Sequence, residues 1–127
     1  MSADKPKFVV SYARDAAYAP QGLWSHFEYR NLGVAGATGG RFGAHVIRAK
    51  EAREGGFTRH KHTLDFQMIY ILKGWFKIES EGAVMLVKAG DSVYQPSGVP
   101  HVTLACSDDL ELIEITSPAE FPTIDVP

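Results

Sequence analysis

Three histidines and one glutamine have the types and spacing to do chemistry together. The segment Arg59-His60-Lys61-His62-Thr63-Leu64-Asp65-Phe66-Gln67 carries an H-x-H pair. In a strand, alternate side chains share one face and successive residues rise about 3.3 Å, so His60 and His62 stand roughly 6.6 Å apart on one side. Two imidazoles so placed can lean toward one cation at the roughly 2.0–2.1 Å of a zinc–nitrogen bond, while Lys61 points its ammonium away. Gln67 follows His62 by five positions, an odd step that would put it on the wrong face of a straight strand. The spacing therefore predicts a bend at Thr63 and Asp65, after which Gln67 begins a new strand facing the histidines. A later stretch, Gly90-Asp91-Ser92-Val93-Tyr94-Gln95-Pro96-Ser97-Gly98-Val99-Pro100-His101, ends on a third histidine. Its prolines and Gly98 pin a turn just before His101, which places that side chain at the start of the next strand.

Three neutral imidazoles and a neutral amide would leave the full double charge of a divalent ion uncancelled. Such an ion acidifies a bound water and attracts an anionic or enolisable organic molecule. The expected cofactor is one divalent transition metal, Zn, Fe, Ni, Cu or Mn, since nitrogen-rich ligation disfavours Mg and Ca. Gln67 either bonds the ion or orients a water on it. It cannot serve as a general base, because an amide does not titrate near neutral pH. The candidates for that task are His45, Tyr70, Tyr94 and Glu114. His45 alternates with apolar neighbours and reads more readily as a core histidine; Tyr70 and Tyr94 read more readily as filling between sheets.

The elements that must position these residues are short strands. Strand-like runs occur at Lys7–Tyr12, Arg41–Arg48, Phe57–His62, Gln67–Leu72, Trp75–Ser80, Ala83–Val87, Asp91–Gln95, His101–Ala105 and Leu110–Thr116, with tight connections at Lys73-Gly74, Glu81-Gly82 and Ala89-Gly90. That rhythm predicts an all-β sandwich or small barrel. Ala13–Phe27, interrupted by Pro20 and Gly22, fits either a short helical turn or an irregular arm. Asn31–Gly40 is glycine-rich but lacks the order of a nucleotide loop, so it reads as a flexible connection. The tail from Ser117 to Pro127 is expected to be extended and mostly on the surface.

With 127 residues, one core is expected; 1–40 reads as an arm and connection belonging to the same domain as a barrel over 41–127. A net charge of −2 with no basic run disfavours nucleic acid as a partner, and no apolar segment suits a membrane, so a small-molecule ligand fits best. The N-terminus lacks a secretory or transit pattern, which makes the cytoplasm the expected location. Cys106, the only cysteine, reads as a small buried strand residue.

Together, His60, His62, Gln67 and Gly74, followed by Gly90, Pro96, Gly98 and His101, resemble the two signature motifs of the cupin superfamily, here in a small single-domain form. Family members carry H-x-H, three or four residues, a glutamate, six residues and a glycine, then G-x-x-x-x-x-P-x-G-x-x-H. This sequence departs at Gln67, where the family has glutamate; at Gly55 and Gly56, displaced from the usual glycine; and at Ala105, where asparagine is common. The resemblance extends from about Arg41 to Thr116. It implies a double-stranded β-helix, two antiparallel sheets closing on a cavity with a metal at its mouth, and commonly a homodimer. For that dimer, Met68, Tyr70, Leu72 and Phe76 and the Phe8-Val9-Val10 run are candidate contacts, with exchange of the arm as one route.

The resemblance also implies a leading function, a dioxygenase-like oxidoreductase whose small substrate chelates the ion through enolate or carboxylate oxygens. A redox-neutral isomerase or lyase using the metal as a Lewis acid is the first alternative. A non-catalytic binding or sensing module is the second.

Overall fold

The computed structural model describes residues 5–21 and 24–127; Gly22, one of the interruptions noted above, lies outside the described residues. After a short 3-10 turn at Ala13–Asp15, the strands in chain order are β1 (Ala19–Gln21), β2 (Trp24–Asn31), β3 (Gly43–Ala49), β4 (Arg53–Glu54), β5 (His60–His62), β6 (Phe66–Lys73), β7 (Trp75–Ser80), β8 (Ala83–Lys88), β9 (Ser92–Tyr94), β10 (Val102–Cys106), β11 (Glu111–Ser117) and β12 (Thr123–Asp125). One short helix, α1 (Val34–Ala37), sits between β2 and β3.

All pairings are antiparallel, in a six-stranded sheet ordered β1-β2-β3-β11-β6-β9, a four-stranded sheet ordered β4-β10-β7-β8 and a small β12-β5 pair. This is the all-β barrel expected, a double-stranded β-helix of the jelly-roll kind.

Strand alternation divides each sheet into an inner and an outer face. On β6 the inward residues Gln67, Ile69 and Ile71 are buried, while Phe66, Tyr70 and Leu72 are exposed. Ile69, Ile71, Phe76, Ile78, Cys106 and Leu110 form the centre of the core, and Cys106 is buried on β10 as expected. Burying a side chain the size of Ile71 contributes about 1.5–3 kcal/mol. The step from β6 to β7 is a single residue, Gly74, with φ of 72°. A Cβ there would come within 2.9 Å of the Leu110 Cα, so both conformation and space require glycine.

Several expectations are corrected. Lys7–Tyr12 is extended but pairs with no strand among the described residues, and Phe8 stands fully exposed. The segment expected as an arm contributes a full strand, β2, which joins the sheet beside β3. The glycine-rich connection contains α1, followed by Thr38, whose hydroxyl bonds the Val34 carbonyl. The tail is extended, but it also forms β12 and pairs with the histidine-bearing strand. Phe76 belongs to the core, and Tyr70 and Tyr94 lie on the outer face of the sheet instead of between the sheets.

Candidate metal centre

The two histidine-bearing stretches are joined backbone to backbone. His60 and His101 form an antiparallel bridge, with the His60 amide donating to the His101 carbonyl at 3.0 Å and the reverse bond at 2.9 Å. The turn before His101 holds His62 as well: the Gly98 amide donates to the His62 carbonyl at 2.8 Å. Ser97 Oγ accepts from the Leu64 amide at 3.1 Å. The expected bend between His62 and Gln67 is present and is fixed by buried Leu64 and by the Asp65 amide bonding the Ser117 carbonyl.

These bonds bring His60, His62 and His101 into one cluster. Ring centroids lie 4.7 Å (His60–His62), 4.6 Å (His60–His101) and 5.2 Å (His62–His101) apart, and one nitrogen from each ring falls within 4.8 Å of the others. The Nδ1 atoms are already engaged. His60 Nδ1 lies 2.7 Å from the Thr58 carbonyl oxygen, His101 Nδ1 3.2 Å from that of Val99, and His62 Nδ1 2.8 Å from Thr123 Oγ1. A carbonyl oxygen only accepts, so His60 and His101 carry their proton on Nδ1 and keep a lone pair on Nε2, the tautomer that a metal requires. Burial, with the charges of His60 and His101 adding, pushes His62 down to about 4; burial and His60 push His101 down as well. Both rings are therefore neutral at neutral pH, the form that ligates. The three residues are close enough to hold a divalent ion, and the tautomers of His60 and His101 leave Nε2 free for it.

Gln67 lies in the barrel interior, 2% exposed, and donates its Nε2–H to Glu114 Oε2 at 3.0 Å. Its Oε1 is buried without a hydrogen-bond partner, an acceptor well suited to a cation or a donor group on a ligand. Burial pushes the Glu114 carboxyl up and the Gln67 bond pulls it back. Glu114 is the cross-strand neighbour of His45 on β3, and the His45 ring meets Tyr29 edge-on at 6.3 Å. Burial pushes His45 down. Burial, then Glu114, pushes the Tyr29 phenol up. The interior thus carries a polar row of Gln67, Glu114, His45 and Tyr29 beside the apolar core.

Of the four general-base candidates, Glu114 and His45 face this interior, whereas Tyr70 and Tyr94 are 46% and 61% exposed on the opposite face of the sheet. Sequence reasoning missed Tyr29, although the alternation Phe27, Tyr29, Asn31 in β2 marks its face. It also missed Thr123 and Phe121, whose ring meets His62 edge-on at 5.2 Å. A cleft of about 240 Å³ lined by His26, Lys50, Glu51, Arg53 and Cys106 opens at the far end of β10 from His101.

Residues 49–116, more than half of the chain, match the family described as the cupin domain, and the chain belongs to the cupin family. Its fold is similar to that of an RmlC-like cupin from Shewanella frigidimarina, at 23% identity and a TM-score of 0.68, over 91% of this chain and 96% of the other. KdgF from Halomonas sp. is similar at 21% identity and a TM-score of 0.69, over 90% and 96%. The polyketide cyclase RemF from Streptomyces resistomycificus is similar at 17% identity and a TM-score of 0.74, over 95% and 87%. No curated protein matches the sequence. Among the described residues no helix is long and apolar enough to cross a membrane.

Proposed function

We propose that this cupin is a metal-dependent enzyme that moves a proton within a small anionic or enolisable organic molecule, a redox-neutral isomerisation, elimination or cyclisation. His60, His62 and His101 would hold the ion, with Gln67 Oε1 at or beside it. When bound, the ion supplies Lewis-acid polarisation of a substrate oxygen. The observation that carries this reading is the half-buried Glu114 carboxyl, held by Gln67 on the same interior face as His45. It answers the need for an acid–base group that the glutamine in the family's glutamate position leaves open. Burial holds Glu114 above the usual carboxylate range, which suits a group that must both accept and return a proton. Tyr29 and His45 would line the substrate's polar side, and Ile69 and Ile71 its apolar side. Among proteins of similar fold, RemF is a polyketide cyclase.

The test is turnover of enolisable diketones, flavonols and phenolic acids by zinc-, iron-, nickel-, copper- or manganese-loaded protein, with and without air. Isomer or elimination product formed equally in both, and abolished by Glu114→Gln with metal content unchanged, is the expected result. Product formed only with matching oxygen uptake would refute it and establish the dioxygenase-like alternative, which the cupin resemblance supports.

We also propose a homodimer, placed in the cytoplasm. Phe66, Tyr70, Leu72, Tyr94 and Ile115 expose a continuous apolar stretch on the outer face of the six-stranded sheet, and the arm leaves Phe8 and Val10 uncovered. A second copy covering both would remove this surface from water.

A further inference from the structure

Among the described residues, the ring of His62 is bonded from outside the two motif stretches. His60 and His101 bond carbonyls two residues away in their own segments, Thr58 and Val99. The partner of His62 is Thr123 Oγ1, which comes from the tail. There, β12 runs antiparallel to β5 with Thr123 opposite His62, Ile124 opposite Lys61 and Asp125 opposite His60. Two further backbone bonds clamp the pair at its ends: the Thr63 amide to the Pro122 carbonyl at 3.3 Å and the Val126 amide to the Arg59 carbonyl at 3.0 Å. Phe121 closes against the His62 ring. β5, only three residues long, is thus held on one side by the His101 bridge and on the other by the tail.

We infer that the C-terminal strand is a working part of the metal centre, and that Thr123 is a positioning residue which accepts the Nδ1 proton of His62 and so turns its Nε2 lone pair to the ion. This rests on the metal-binding reading above. A hydroxyl can accept as well as donate, so Thr123 Oγ1 can take the Nδ1 proton of His62 and leave its Nε2 lone pair to the ion, the arrangement that the carbonyl partners of His60 and His101 enforce at those rings. The tail lies beyond the cupin-domain match, which ends at residue 116. It therefore adds a determinant of affinity that the two motifs do not contain. Hydrogen-bond partners of metal-bound histidines are typically worth 10- to 100-fold in affinity.

The test compares wild type with Thr123→Val, which keeps the shape and removes the bond, and Thr123→Ser, which keeps the bond. Zinc affinity is measured by competition with a chromophoric chelator, and the His62 tautomer of the metal-free protein by long-range proton–nitrogen correlation. Thr123→Val should weaken zinc binding about 10- to 100-fold and lose the single Nδ1–H form seen in wild type, while Thr123→Ser restores both. If Thr123→Val binds zinc as tightly as a zinc-binding wild type, or if wild-type His62 carries its proton on Nε2, the inference fails while the metal centre stands. A wild type that binds none of the divalent transition metals removes the metal centre itself and the inference with it.

Discussion

Metal binding by the histidine cluster, as proposed above, would be confined to the native state and would make stability depend on free metal, and the geometry allows the size of that dependence to be worked out. The candidate ligands come from β5 and from the residue preceding β10, 41 positions apart between His60 and His101, so the unfolded chain does not present them together. At free zinc one hundred times the dissociation constant, the native state gains about 2.7 kcal/mol. A melting entropy of about 2.1 cal/mol/K per residue gives roughly 0.27 kcal/mol/K for this chain, so zinc should raise the melting temperature by about 10 °C and a strong chelator should reverse it. His101→Ala removes one of three donors. A hundredfold weaker site at the same free zinc retains about 0.4 kcal/mol, a shift below about 2 °C. His45→Asn, which alters the interior row and leaves the histidine cluster intact, should keep the full shift. The assay is differential scanning calorimetry of each protein with zinc and with chelator. A wild-type melting temperature indifferent to both, or a full shift surviving in His101→Ala, refutes the reasoning.

Gly74→Ala should cost about 2–4 kcal/mol in urea unfolding, because it combines a left-handed backbone with a collision against Leu110, whereas Gly98→Ala, with φ of 78° and open space around it, should cost about 1–2 kcal/mol; equal costs would contradict the packing at Gly74. His62 has a folded pKa of about 4 against about 6.5 unfolded. Between these values the unfolded chain takes up a proton that the folded one does not, so the metal-free protein should lose stability as pH falls from about 6.5 toward 4. After discounting for the half-exposed ring, that loss is about 1–2 kcal/mol. The slope should flatten in His62→Asn, and identical slopes would rule the assignment out. Leu72→Glu on the outer face should weaken dimerisation at least about 30-fold, as read by light scattering across a dilution series; wild-type protein that is monomeric throughout disposes of the dimer.

Much of this architecture is legible from the chain because inward and outward residues alternate along β6 and β7. Trp75–Ser80 has the same bounds in sequence and structure, and β6, β8 and β11 differ by a residue or two at their ends. The histidine cluster is legible for a different reason: the bend after His62 and the turn before His101 are written in residues whose backbone preferences are strong. What sequence hides is partnership. Lys7–Tyr12 has strand composition but no neighbouring strand in the described part of this chain, while Thr123–Asp125, flanked by Pro122 and only three residues long, is a strand because β5 lies beside it. β2 is obscured by Pro20 and Gly22 just ahead of it, which make Ala13–Phe27 read as a broken segment. Tyr70 and Tyr94 illustrate a matter of parity: an aromatic residue is apolar enough for either face, and only the fixed position of Gln67 decides which it takes.

That parity is where fold and site depend on each other. A slip of one residue in β6 would turn Gln67 to solvent and bring Tyr70 inside. Three features oppose the slip. The Gln67 carbonyl accepts from the Gln95 amide at 2.9 Å, Thr116 pairs opposite Gln67 on β11, and Leu64, buried in the bend, is tied through Ser97 to the same turn that bonds His62. The residues that settle the orientation of Gln67 are therefore those that place His62 and precede His101. The polar interior and the histidine cluster share one hydrogen-bonded turn, Pro96-Ser97-Gly98-Val99, and a change there would disturb histidine placement and the Glu114–Gln67 pair together.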